Sequence, residues 1–210
     1  SICLMTEKEV KIILLKKLYF DQDAIYKLDI FCKELIEYNK QFNLISKSTI
    51  SSIWDRHVLD SAQLVKFIRF SDGLSLSDLG TGAGFPGIVI AIFNKNPKFH
   101  VKLYDKSRVK TKFLSNICEK LNIKAQVYDN DYRSHKIESF YIVSRAFKKL
   151  EEQLRISREI ITVSHKLIIL KGRNAEKEIK ELNKKLNYSY SLENSITSPE
   201  SKILIIDIKK

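Results

Sequence analysis

The sequence predicts an α/β protein with a mainly parallel sheet, helices on both faces, a C-terminal antiparallel hairpin and an N-terminal helical extension. Three observations carry this reading. The first seventy residues repeat their apolar positions at helical spacing, and from Gly73 onward short apolar runs alternate with helical stretches. Between these regions lies "SDLGTGAGFPG", Ser77 to Gly87, which holds four of the six glycines. Alternating strands and helices call for parallel strands joined by covering helices.

Thr6 and Glu9 form a Thr-x-x-Glu capping box, which opens an amphipathic helix expected to run to about Tyr19. Leu28, Phe31, Leu35, Tyr38 and Phe42 then recur at spacings of 3, 4, 3 and 4, the period of one buried helix face. A third helix is expected from about Ser48 to Phe70, with Ile50, Ile53, Trp54, Val58, Leu64, Val65 and Ile68 inward. Strands are expected near Leu74 to Leu79, His100 to Tyr104, Ala125 to Tyr128, Ser139 to Val143 and Lys166 to Leu170, each followed by a helix. The tail "YSYSLENSITSPESKILIIDI" reads as two strands joined by a loop, a hairpin at the sheet edge. No Pro-, Gly- or Ser-rich linker interrupts the chain. Residues 1–72 are therefore expected to form a helical cap on a core of residues 73–210, as one compact unit.

With 44% hydrophobic and 30% charged residues the composition is that of a soluble globular chain. The longest apolar runs, "GIVIAIF" and "LIIL", are too short to span a bilayer, and the first twenty residues lack a secretory apolar region. A cytoplasmic, monomeric protein with no membrane partner is the expectation. Cys3, Cys32 and Cys118 are odd in number and widely spaced, so they are expected to be reduced and structural. His57, His100, His135 and His165 are equally scattered, and no metal site is expected. The net charge of +12 favours polyanionic partners, nucleic acid first, through phosphate neutralisation and counterion release. Lysines that merely keep the chain soluble explain the same surplus.

In open α/β sheets the first strand-to-helix turn is where backbone meets cofactor. "GAGFPG" formally matches the G-x-G-x-x-G of dinucleotide sites, with Asp105 at the end of the next strand. Three details weigh against that match. The loop starts earlier, at Asp78-x-Gly80-x-Gly82-x-Gly84; Pro86 sits where the diphosphate turn should enter its helix; and seventy helical residues precede the first strand. "DLGTGAGFPG", with acids after strands two and three, instead resembles the Rossmann-like class I S-adenosylmethionine-dependent methyltransferases. That resemblance implies glycines whose backbone lies against the cofactor, where a Cβ would clash. It also implies that Asp105 accepts from the ribose hydroxyls, and that Asn130 and Asp131 meet the adenine edge.

The chain has no Pro-Pro-aromatic tetrapeptide after strand four, as amino-directed base methyltransferases carry, and no cysteine at a strand's carboxyl end for attack on pyrimidine C5. Basic residues gather at the cofactor edge instead, among them Arg108, Arg145, Lys148, Lys149, Lys171 and Arg173. "YNKQFNLIS", "RHVLDS", "DLGTGAGFPGI", "YDKSRVKTKFL", "VSRAF" and "LKG" stand in the order and spacing of the RsmG (GidB) family, across about Glu37 to Gly172. The resemblance implies S-adenosyl-L-methionine as cofactor and methylation of guanine N7 in 16S rRNA, free or in a small-subunit precursor. It places cofactor contacts at Gly80, Phe85, Asn130, Asp131 and Arg145, beside the glycines Gly82 and Gly84 and Asp105. Arg145 is also the candidate for orienting the base, and no general base is expected because N7 carries a free lone pair. Arg108, Lys148, Lys149, Lys171 and Arg173 are expected to bind RNA. His57, Asp60 and Ser61, polar on an otherwise apolar helix face, either find partners within the core or line the pocket. A methyltransferase for a small anionic molecule and a non-catalytic adenosylmethionine- or dinucleotide-binding module are the alternatives.

Overall fold

The computed structural model describes residues 3–145 and 148–210. Ala146 and Phe147, the end of the "VSRAF" stretch, lie outside the described residues. Helix α1 (Glu7–Lys16) opens on the expected capping box, with the Thr6 hydroxyl accepting from Glu9 N and the Glu9 carboxylate accepting from Thr6 N. Helix α2 (Gln22–Asn39) buries Leu28, Phe31 and Leu35 completely. It ends earlier than its period suggests, because Asn39 Oδ1 accepts from Leu44 N and Ile45 N at 2.7 and 3.0 Å and turns the chain. Phe42 therefore falls past the helix, 38% exposed and stacked on Tyr38.

The expected third helix is not regular. Residues 47–67 run through a 3-10 segment (Lys47–Ser52), a π turn (Trp54–Leu59), a single α turn, α3 (Asp60–Ala62), and a second 3-10 segment (Gln63–Phe67). Such wide turns break the i→i−4 ladder and free backbone carbonyls for other partners. The Arg56 carbonyl is one, accepting from Arg145 at 2.8 Å.

The seven strands are β1 (Ser75–Leu79), β2 (His100–Tyr104), β3 (Gln126–Tyr128), β4 (Tyr141–Arg145), β5 (His165–Lys171), β6 (Ser189–Asn194) and β7 (Lys202–Ile208). They lie in the order β3-β2-β1-β4-β5-β7-β6. The first five are parallel, and β7 runs antiparallel between β5 and β6, as the tail predicts. Helices α4 (Gly87–Phe93) and α5 (Arg108–Lys120) share a core with α1 and α2 on one face. On the other face, α6 (Leu150–Ile160) and α7 (Ala175–Leu186) pack against Leu79, Ile142, Leu167 and Ile169. Period-2 alternation separates the two cores, so Tyr141 and Val143 face one and Ile142 the other. Helix α4 is buried from Gly87 to Ile92, held between the sheet and the N-terminal helices, which explains its nearly all-apolar sequence.

The expectation of a helix after every strand fails after β3. Only a 3-10 turn, Tyr132–Ser134, follows, capped by Asp131 Oδ1 accepting from Arg133 N at 3.0 Å. Cys32 and Cys118 are buried, whereas Cys3 is exposed and has no part in the core. No helix among the described residues is long and apolar enough to cross a membrane. Strand order reverses between β1 and β4, and the crevice outside their carboxyl ends is where ligands of such sheets bind.

Candidate active site

The loop leaving β1 passes through positive φ at Gly80, Gly82 and Gly84 (77°, 59° and 109°), a region costly for residues with a side chain. Its four glycines nonetheless do different work. A Cβ on Gly82 would meet nothing within 4 Å, because this glycine opens on a cavity of about 400 Å³ lined also by Gly80, Asp105, Asp131 and Lys148. A Cβ on Gly84 would stand 2.8 Å from Ile88 and Leu114, and one on Gly87 would collide with Leu103 and Asp78. Gly87 therefore serves helix-on-strand packing, and Gly84, expected to clear space for a cofactor, makes room for the side chains of α4 and α5 instead.

Two acids shape this loop. Asp78 Oδ2 accepts from Gly87 N at 2.8 Å and ties the loop's far end to β1. Burial pushes its carboxyl up to about 7, against the pull of Thr81 and the Gly87 N–H. Asp105 Oδ2 accepts from Gly82 N at 2.9 Å and its Oδ1 from Ser107 N at 2.8 Å, so this carboxylate fixes the glycine backbone while lining the cavity. Asp131 reaches the same cavity, but Asn130 is exposed and bonded to His135 through Oδ1.

A second cavity of about 460 Å³ lies at the carboxyl ends of β4 and β5, and His57, Asp60, Arg145, Arg173 and Thr197 contribute to its wall. Arg145 is its centre. Nη1 donates to His57 Nδ1 at 2.7 Å, Nη2 donates to the Arg56 carbonyl at 2.8 Å, and Asp60 Oδ2 lies 3.4 Å from Nη2. An arginine has no acceptor, so His57 must present Nδ1 unprotonated and donate from Nε2 to Thr49 Oγ1 at 2.8 Å. Burial first, then the positive charges of Arg145 and Arg56, lower the His57 pKa to about 4. His57 is thus neutral throughout the physiological range. Burial raises the Asp60 pKa and Arg145 opposes it. Asp60 Oδ1 also accepts from Thr197 Oγ1 at 3.1 Å.

Arg145 lies in this second cavity, not the one beneath the glycines, which separates it from the other expected cofactor contacts. Phe85 is buried and lines neither, stacked on His57 at 4.9 Å with the Arg145 guanidinium 5.9 Å from its ring. The π turn therefore cradles the loop through His57 and Phe85. Ser61 is fully buried and away from both cavities.

The expected RNA contacts divide as sharply. Arg108, Lys149 and Arg173 are exposed. Lys148 lines the first cavity and pairs with Glu152 at 3.0 Å. Lys171 is only 8% exposed and bonded to Glu178 at 2.6 Å. A buried, paired ammonium is not displayed to phosphate, so Lys171 does not belong to the rim where its strand-end position put it.

Sequence reasoning missed the loop between β6 and β7. Besides the Thr197 bond to Asp60, Ser195 Oγ accepts from Gln63 Nε2 at 3.1 Å and Ile196 N donates to Gln63 Oε1 at 2.9 Å. The C-terminal hairpin thereby walls the second cavity and grips the irregular N-terminal segment.

A cavity under a glycine loop at the switch point, with an acid on the neighbouring strand holding that loop, is the arrangement of the S-adenosyl-L-methionine-dependent methyltransferases; fold and site assign this chain to that class. Gly82 supplies the test of fit, since its open Cβ position faces a cavity with a carboxylate at its wall. Within the class the chain belongs to the GidB family, rRNA small subunit methyltransferase G, whose sequence profile matches residues 24–205. The match extends beyond the stretch legible as family motifs and takes in most of the hairpin. A ribosomal RNA small subunit methyltransferase G from Pelagibacter ubique is 34% identical over 202 residues, covering 94% of this chain and 93% of its own length. One from Rickettsia felis is 36% identical over 183 residues, 87% of this chain and 93% of its own. Among solved structures, an S-adenosylmethionine-dependent methyltransferase from Aquifex aeolicus superposes with a TM-score of 0.60 at 16% identity, covering 81% of this chain and 98% of that one.

Proposed function

We propose that the chain methylates N7 of a guanosine in small-subunit (16S) rRNA, in the cytoplasm, with residues 1–72 and 73–210 acting as one unit around the two cavities. One observation carries the choice of target atom. At the β4 end, His57 has its acceptor nitrogen occupied by Arg145 and its other nitrogen on Thr49, while Asp60 is held by Arg145 and Thr197. Neither His57 nor Asp60 is poised to take a proton, and N7, with its free lone pair, has none to give.

Bound S-adenosyl-L-methionine supplies an electrophilic methyl group on a sulfonium. Gly80 and Gly82 offer their backbone to it, Asp105 has lone pairs left for the ribose hydroxyls, and Asp131 faces the adenine side. The second cavity takes the unstacked guanine, with Arg145 donating to its acceptor edge. Rate then comes from alignment in a site shielded from water. The exposed Arg108, Lys149 and Arg173 bind backbone phosphates.

Protein incubated with tritium-labelled cofactor and total rRNA from cells lacking the modification should place label in the small-subunit rRNA alone. Label in large-subunit rRNA, or only in small molecules, would contradict the reading.

A further inference from the structure

The cavity beneath the glycines carries an imbalance of charge. Its wall holds four cations, Lys106, Lys110, Arg133 and Lys148, against two carboxylates, Asp105 and Asp131. Lys148 is compensated by Glu152 at 3.0 Å and Arg133 by Asp131 at 3.7 Å. Lys106 is exposed and Lys110 half-buried, and neither has an acidic partner among the described residues. Both flank the start of α5, whose first turn contains no acid. Cations there stand against the positive end of the helix dipole, where a sequence selected for helix stability would place Asp or Glu. The arrangement costs stability and, with Asp105 alone set against the two lysines, leaves the wall with one net positive charge.

The reactive cofactor has a sulfonium, an ammonium and a carboxylate, one net positive charge. The spent form, S-adenosylhomocysteine, has lost the sulfonium charge and is neutral overall. An uncompensated positive rim therefore disfavours the reactive form more than the spent one. We propose that Lys106 and Lys110 are a phosphate-docking pair through which bound RNA raises the cavity's affinity for the cationic cofactor over its neutral product. This rests on the reading that the substrate is RNA. Phosphates set on the two ammonium groups cancel the repulsion, and by linkage the cationic cofactor tightens RNA by the same factor. Two charges on the wall of the same cavity as the sulfonium, in the high effective dielectric of an open cleft and screened by salt, correspond to roughly three- to tenfold in affinity at low ionic strength. The coupling favours reloading: RNA draws in fresh cofactor and gives no such help to the product.

The test uses sinefungin, an unreactive analogue with an ammonium in place of the methylated sulfur, beside S-adenosylhomocysteine. Calorimetry at about 50 mM salt measures both, with and without small-subunit rRNA, in the native protein and in Lys106→Gln/Lys110→Gln. RNA should tighten sinefungin by about three- to tenfold in the native protein and change S-adenosylhomocysteine by less than about twofold. In the absence of RNA the double variant should bind sinefungin more tightly than the native protein does, by a similar factor. Its rRNA affinity should fall, with a salt slope shallower by roughly 0.7 to 0.9 for each phosphate no longer neutralised. Lysines that only shape the cavity would weaken both ligands on removal. That result, or a ratio of the two ligands unmoved by RNA, overturns the proposal. If the native protein binds and methylates the rRNA while the ratio stays fixed, the coupling alone fails; if it does not bind rRNA, the substrate reading fails and the coupling with it.

Discussion

Gly82→Asp is expected to weaken S-adenosyl-L-methionine by on the order of 100-fold, close to 2.7 kcal/mol, with the fold retained. The space beyond Gly82 is empty of protein atoms and its φ of 59° lies in the left-handed region, which Asp tolerates better than most residues. The new side chain therefore has room in the free protein and takes it from the cofactor. Calorimetry for binding, with a thermal melt for folding, separates this from structural damage. Gly87→Ala serves as the opposite control. Its Cβ would collide with Leu103 and with the Asp78 carboxyl that accepts from Gly87 N, so the melt should drop. Retained cofactor affinity in Gly82→Asp would mean the cavity under the loop is not the cofactor's.

Arg145→Lys should lower kcat/KM for rRNA by about 100-fold, again near 2.7 kcal/mol of transition-state stabilisation, while S-adenosyl-L-methionine affinity changes by less than about threefold. Lysine carries the charge but not the planar fork. It cannot reach His57 Nδ1, the Arg56 carbonyl and Asp60 together, as Arg145 does. A buried Asp60 is then left short of its counter-charge, a costly state. The small effect on the cofactor follows from Arg145 lining the other cavity. The native single-turnover rate should show no rising limb from His57 between about pH 6 and 8.5, because His57 titrates near 4. Stability follows the same titration: a depressed histidine favours the neutral folded form above about 6.5, and this support is lost as pH falls towards 4. A cofactor affinity that falls in step with kcat/KM would move Arg145 back to the cofactor.

Much of the scaffold was legible because its signals are local. The capping box at Thr6 and Glu9, the apolar runs that became β1, β2, β4 and β5, and the glycine loop at the end of β1 all stand where their residues put them. Residues 47–67 were not legible, because tighter and wider turns alternate there and their apolar positions average to an ordinary helical period. Gly82, Gly84 and Gly87 look equivalent in sequence, yet only the fold reveals that one faces open space and two face Ile88 and Leu103. Lys171 resembles its basic neighbours at strand ends, and nothing local shows that Glu178 of α7 turns back to take its ammonium. The bonds from Ser195, Ile196 and Thr197 to Asp60 and Gln63 join segments more than 130 residues apart. A Ser- and Thr-rich hairpin loop was the only hint of them.

With His57 and Asp60 already engaged by Arg145, Thr49 and Thr197, the second cavity suits a target atom that has no proton to lose. The most direct measurement of this is the identity of the modified nucleoside. Small-subunit rRNA methylated by the protein in vitro, digested to nucleosides and resolved by mass spectrometry, should carry its label in 7-methylguanosine. Label in a nucleoside methylated on an exocyclic amine, on carbon or on the ribose hydroxyl would contradict the account, since each of those targets must shed a proton and N7 need not.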